Sequence, residues 1–239
     1  MAPRTARQPG ELGLDWERGS MKTISPELLL ISSIAIALVP LLIAVGTCYL
    51  KFSIVLSLLR SGFGTQQAPS AAMVTALSVV MSLVVMRPVI SKTTESFSGL
   101  PVSDLSTQSL GTLLQRAEVV SGPWRDFLVD HSGERELSAF ASLGGGDPKT
   151  EEVVVDRTKV SVITALAAFV LSEIKRGFIL AFFLLIPFFV IDLIVANLLV
   201  AMGLTMMSPV IVSLPVKLLL FISSDGWLLL ARNLIKAYQ

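Results

Sequence analysis

Apolar residues gather into four long runs, separated by short turns and by one polar stretch near the middle, and this spacing predicts an all-α membrane protein. The first run, Leu28 to Leu59, is broken by Pro40 and carries Lys51, and its part up to Leu50 is long enough to span a bilayer. The second, Ala71 to Met86, has only sixteen residues. That falls short of the roughly 17 to 25 of a full crossing, which suits a tilted span, a thin-membrane span or a helix buried in protein. Between them Ser61-Gly62-Phe63-Gly64-Thr65-Gln66-Gln67-Ala68-Pro69 reads as a turn, so the first two runs predict a helical hairpin. The third run starts near Val160, is interrupted at Glu173, Lys175 and Arg176, and resumes at Phe178; the fourth follows a turn between Gly203 and Pro215. The architecture expected is two long helical hairpins with a small helical polar insert between runs two and three. Its divisions are a disordered extension (1–20), a first hairpin (21–90), the insert (91–159) and a second hairpin (160–239).

Within the insert, Leu110, Leu113 and Leu114, and then Trp124, Phe127 and Leu128, follow i, i+3, i+4 spacing and predict two or three short helices. Gly144-Gly145-Gly146-Asp147-Pro148 is a flexible break before the chain returns to the apolar runs. At the other end, residues 1–20 are polar and rich in Gly, Pro and Arg, and Met21-Lys22 offers an alternative start.

Charge changes the picture because it lies inside the longest apolar stretch. From Phe178 to Ala231 the formal charges are Asp192, Lys217 and Asp225, with Asn197 as an added amide. Each charge costs about 2.5 to 3.5 kcal/mol at the centre of a bilayer-spanning helix, so these groups are expected to face other helices, another subunit or an aqueous path. Glu173 and Arg176 are three apart and share a helix face, where they can pair. Asp192 and Asn197, five apart, suit separate contacts; for Asp192, interhelix hydrogen bonding is favoured over proton relay. Lys51, Arg60 and Lys217 are expected to snorkel toward an interface.

The composition, 53% hydrophobic and 15% charged at a mean hydropathy of +0.74, lies outside the soluble globular range. The net charge of +1 is the sum of −4 in Ser91 to Lys159 (seven Lys/Arg, eleven Asp/Glu) and +5 elsewhere, and the acidic insert is placed outside the cytoplasm. One cysteine, Cys48, and one histidine, His131, exclude an internal disulfide and a Cys/His metal cluster. Lipidation of Cys48 is disfavoured by the Thr47 that precedes it, and His131 reads as a solvated surface residue. No P-loop or H-E-x-x-H is present. Neither an enzyme, a cofactor nor a nucleic-acid partner is expected.

Ala201-Met202-Gly203-Leu204-Thr205-Met206-Met207 puts three methionines in seven residues beside Ser208-Pro209. They read either as core filler or as a soft seal, since a flexible, polarizable thioether closes around variable shapes.

Three stretches resemble the FliP/SctR family of the type III secretion export apparatus, shared by bacterial flagella and injectisomes. The first is Gly46-Thr47-Cys48-Tyr49-Leu50-Lys51-Phe52-Ser53-Ile54-Val55 to Leu59-Arg60, with Gly64-Thr65-Gln66-Gln67-x-Pro69. The second is Leu171-Ser172-Glu173-Ile174-Lys175 with Ile186-Pro187-Phe188-Phe189-Val190-Ile191-Asp192-Leu193. The third is Met202-Gly203 through Ser208-Pro209-Val210, Ser213-Leu214-Pro215-x-Lys217-Leu218-Leu219-Leu220-Phe221 and Asp225-Gly226-Trp227.

The resemblance implies a non-catalytic subunit of a helical export gate in the bacterial inner membrane, assembled within the secretion basal body. About five copies close around an axis, joined by a small two-helix partner and a larger membrane subunit, and enclose a channel for unfolded secreted proteins. It implies a pore constriction, or gasket, at Met202, Gly203, Leu204, Thr205, Met206 and Met207. Lys51, Arg60, Gln66, Gln67, Glu173, Lys175, Asp192, Asn197, Lys217 and Asp225 are the expected subunit-packing or buried polar positions. Leu204-Thr205 departs from the family's methionine run, Ala167 stands where a proline is usual, and Ser70-Ala71 replaces the usual Pro-Asn. Gly46-Thr47-Cys48-Tyr49 and Ser208-Pro209 lean toward the injectisome branch. The alternative reading is a stand-alone solute or ion transporter using Asp192 and Lys217 as a midplane pair.

Overall fold

A computed structural model describes residues 26–64, 69–98, 110–143, 157 and 160–238, and among them every regular element is an α-helix. The chain divides into two compact units, Met1–Val39 and Pro40–Gln239. Helix α1 is Pro26–Val45; in the first unit its Leu30, Ile34, Ile36 and Leu38 are exposed.

In the second unit, α2 (Tyr49–Gly62) buries Lys51, Phe52, Val55, Leu56 and Leu59, positions that recur with the helical period and form one face. That face packs mainly on α6 (Val162–Ala201), and α2 also packs on α3 (Ala71–Ser98). Helices α4 (Leu110–His131) and α5 (Glu134–Leu143) form the described part of the polar insert and both lie against α6, while α4 also meets α3. Helix α6 continues into α7 (Pro209–Ser223) and α8 (Gly226–Lys236), with α7 folded back on α6 and α8 touching α3.

Helix α6 is 40 residues long, about 60 Å at 1.5 Å per residue. It starts at Ser161, whose side chain accepts a hydrogen bond from the Thr164 N–H. Its first turns bury Ala165, Ala168, Phe169, Ser172 and Glu173, but farther along Phe178, Phe182, Phe183 and Phe189 are more than half exposed. An apolar face of this size needs lipid or protein against it. Ala71–Ser96 within α3 and the whole of α6 are long and apolar enough to cross a membrane, with mean hydropathies of 2.0 and 2.9. Up to four crossings result if each of two bent helix pairs counts as one.

Six features differ from the sequence expectation. The first run breaks at Gly46–Cys48, and Pro40 sits inside α1. The second run is the front of a 28-residue helix that passes Pro88 and ends at Ser98. The third is not interrupted: Glu173, Lys175 and Arg176 lie within α6, each charge meeting a partner on another element. The turn after Gly203 closes at Ser208, because Pro209 occupies the first helical position, where a missing N–H costs nothing. Pro215 is inside α7, and the fourth run bends by 61° between α7 and α8 at Asp225, which adopts the left-handed conformation at φ 50°. In the insert, α4 is a single 22-residue helix, longer than expected. Residues 1–20, Gln66, Gln67 and Gly144–Pro148 lie outside the described residues.

Candidate functional site: an exposed methionine loop and two buried ion pairs

The loop after α6 begins with a Schellman motif. The Gly203 N–H donates to the Val200 carbonyl at 3.0 Å and the Leu204 N–H to the Leu199 carbonyl at 2.9 Å. Gly203, at φ 75°, takes the left-handed position the motif requires and that a side chain disfavours. Every residue from Met202 to Ser208 is exposed. Met206 is fully so, and Met202, Met207 and Leu204 are exposed by 70%, 49% and 41%. Within the subunit these methionines fill no core. Two firm helix ends thus project a short apolar loop into open space.

A buried ion pair ties the helices behind that loop. The Lys217 ammonium of α7 donates to Asp192 Oδ2 of α6 at 2.6 Å and to the Gly62 carbonyl at the end of α2 at 2.9 Å. The Ser213 hydroxyl donates to the other Asp192 oxygen. Lys217 is 1% exposed, whereas the Asp192 side chain is 27% exposed. A Cβ at Gly62 would lie 2.1 Å from Leu185 Cδ2, so a side chain there would displace the tip of Leu185. Phe63, Phe188 and Phe221 cluster beside the pair, Phe63 lying tilted to Phe188 at 5.1 Å and edge-on to Phe221 at 5.3 Å between ring centroids.

Nineteen residues earlier on α6, about 28 Å along its axis, lies the second pair. Lys51 Nζ of α2 stands 3.3 Å from Glu173 Oε1, with side-chain exposures of 1% and 0%. Arg176 adds a longer contact at 3.7 Å to the same oxygen and donates to the His131 carbonyl at 2.7 Å. The Tyr238 hydroxyl donates to Glu173 Oε2, and Lys51 Nζ sits 3.9 Å from the Tyr238 ring centroid, a cation–π contact. Burial pushes the Tyr238 phenol up from its ordinary range, so it remains a hydrogen-bond donor. Glu173 Oε1 itself makes no hydrogen bond.

The polar insert is fastened at this end. The Gly133 N–H donates to Ser172 Oγ at 2.7 Å, Lys175 donates to Glu136 at 2.9 Å, and the Trp124 indole donates to the Gly46 carbonyl at 2.8 Å. The Lys175 hydrogen bond holds the Glu136 carboxyl below its ordinary range.

Two expectations are corrected. Lys51 and Lys217 do not snorkel: both ammonium groups stay inside the helix packing, because a carboxylate from another helix meets each one there. His131 is not a solvated surface residue; it is half-buried, its Nδ1 2.9 Å from the Phe127 carbonyl and its ring 4.4 Å from Phe127 and 5.3 Å from Tyr238. Arg60 lies half-buried in the last turn of α2, and Asn197 and Asp225 are exposed. Sequence reasoning missed Ser213, the Gly62 carbonyl and Tyr238. A lysine and a glutamate stranded in separate apolar runs was the one available signal for the Lys51–Glu173 pairing.

The chain matches the FliP family over residues 32–234. It is 37% identical to the surface presentation of antigens protein SpaP of Salmonella typhi over 84% of this chain and 92% of that protein. The flagellar biosynthetic protein FliP of Aquifex aeolicus (strain VF5) is 34% identical, over 88% of this chain and 85% of the relative. The Yop proteins translocation protein R of Yersinia pestis is 35% identical, over 85% and 92%. The chain therefore belongs to the FliP family, inner-membrane proteins of the type III secretion and flagellar export apparatus.

Proposed function

We propose that this FliP-family chain is a non-catalytic core subunit of an export gate, and that its copies close a channel for unfolded proteins with the loop Met202–Met207. About five copies around one axis, with a small two-helix and a larger membrane subunit of the same apparatus, would bury the apolar face of α6 left open in the single chain. The chain folds as two hairpins, with the insert outside the cytoplasm. Gly46-Thr47-Cys48-Tyr49 and Ser208-Pro209 support the injectisome branch over the flagellar one.

The observation that carries this reading is the loop itself: exposed thioethers on a tip whose two flanking helices are pinned by the Lys217–Asp192 pair. A soft seal needs side chains that repack on a mount that does not move. Replacing Met206 and Met207 together with alanine is expected to raise resting leak of small ions through the assembled gate, while folding stability changes by less than about 0.5 kcal/mol, as for exposed positions generally. Unchanged conductance would remove these residues from the seal.

The transporter reading draws on the same Asp192–Lys217 pair. Against it, Lys217 is committed to the Gly62 carbonyl as well as to Asp192, and Asp192 also accepts from Ser213. Those bonds suit a static brace.

A further inference from the structure

Tyr238 stands apart from the other residues around the Lys51–Glu173 pair. It lies beyond the end of α8 and is half-buried, yet the groups beneath it are closed to solvent: Cys48 and Phe52 at 0% exposure, Lys51 at 1% and Glu173 at 0%. It touches Lys51, Phe52 and Glu173, and Cys48 lies one helical turn before Lys51 and Phe52. Its hydroxyl donates to Glu173. Its ring accepts the Lys51 ammonium on one face and meets Phe52 edge-on, with centroids 5.8 Å apart. The same ring stacks with Phe127 at 6.3 Å and lies 5.3 Å from His131, both on α4 of the polar insert. One partly exposed side chain thus bridges three elements, α2, α4 and α6, and covers two ionisable side chains and a thiol.

We propose that Tyr238 is a clasp: it holds the polar insert against the α2–α6 contact and keeps water from the Lys51–Glu173 pair and from Cys48. Two features make it a strap that opens, in contrast to a fixed part of the core. Its outer side is already open, so it can lift before any helix of the bundle moves. The pair beneath is also incompletely bonded, Glu173 Oε1 lacking any hydrogen bond, so water that enters finds an acceptor waiting. Lifting the clasp therefore exchanges the phenol and the ring for water at Glu173 and Lys51, and frees Phe127 and His131 of α4 on the same stroke. In this way the seating of the insert is coupled to the hydration of a charge pair inside the helix bundle. This inference is independent of the role proposed for the methionine loop.

Cys48, the only cysteine of the chain, is a native reporter beneath the clasp. Inner-membrane vesicles carrying the full-length protein with its apparatus would be treated with a small membrane-permeant maleimide and the alkylation rate followed. The wild-type thiol should react slowly, and Tyr238→Ala should raise the rate at least about tenfold by removing both hydrogen bond and ring. Tyr238→Phe, which keeps the ring and loses the donor, should fall between. General unpacking is read at the far end of the bundle with Val74→Cys in a Cys48→Ser background, which should stay as slow in Tyr238→Ala as with Tyr238 intact. A wild-type rate at Cys48 in Tyr238→Ala, or an equal rise at both reporters, overturns the clasp. Should Tyr238→Ala fail to accumulate, Tyr238→Phe decides alone: a several-fold rise at Cys48 supports the clasp and a wild-type rate overturns it.

Discussion

Each of the two ion pairs on α6 joins a carboxylate of that helix to a lysine of another, Asp192 to Lys217 and Glu173 to Lys51, yet their surroundings differ. At the loop end, Lys217 donates to a carboxylate and to a backbone carbonyl, Asp192 accepts from a hydroxyl as well, and its side chain keeps 27% of its surface. At the insert end, Lys51 and Glu173 are both closed off, the contact is longer at 3.3 Å, and one carboxylate oxygen lacks a hydrogen bond. Burying two charges is repaid only when geometry and additional hydrogen bonds are good. The loop-end pair thus acts as a brace whose acidic partner the chain leaves partly open. The insert-end pair depends on what covers it, namely Tyr238, Arg176 and the docked insert.

That difference is most directly broken by deleting the lysines one at a time. Lys51→Met leaves Glu173 buried with only the longer Arg176 contact at 3.7 Å and should destabilise the detergent-solubilised protein by about 3 kcal/mol. Lys217→Met leaves a carboxylate that is only partly enclosed and that Ser213 still bonds, so a loss of about 1 to 2 kcal/mol is expected. Thermal unfolding of the two variants side by side checks the order, and a larger loss for Lys217→Met would reverse the comparison.

A smaller effect sharpens the insert end alone. The folded-state pKa of Glu136 is lowered by the Lys175 hydrogen bond. Its stabilising contribution is therefore fully present above the ordinary carboxylate range, about pH 4.3, and is lost as pH falls through the lowered value. Hydrogen-exchange protection of the α5 amides, relative to their intrinsic rates, should fall below about pH 4, and Glu136→Gln should flatten that dependence. An identical acid response in both proteins would detach Glu136 from the seating of the insert.

Helix content was legible in the sequence because the apolar runs are long, and the start of the methionine loop because Gly203 is a strong stop signal, whereas its end was set at Pro215 and the start signal at Pro209 was passed over. The ends of the helices were less so. Pro40 looked like a break, yet it lies inside α1, and the chain breaks instead at Gly46–Cys48. Glu173, Lys175 and Arg176 looked like an interruption, because charge is read as exposure until the partners are known. Those partners, Lys51, Glu136 and the His131 carbonyl, lie far away in the chain. The bend at Asp225 rests on one left-handed residue that is not glycine, for which composition gives no warning. Of the candidate site residues, Asp192 and Lys217 were considered together as charges in one apolar stretch. Tyr238 was invisible, since a tyrosine after the last helix reads as a frayed end.

Cross-linking between copies in the assembled apparatus is the most direct test of the central claim, that the loops of neighbouring subunits meet around one axis. Thr205→Cys and Met206→Cys are suitable sites because both side chains are exposed and neither position needs the left-handed backbone of Gly203. Rapid oxidative formation of disulfide-linked dimers at one or both positions, absent in the wild type whose Cys48 is buried, is the expected result. Exclusively monomeric protein at both positions, in an apparatus that still secretes, would contradict it.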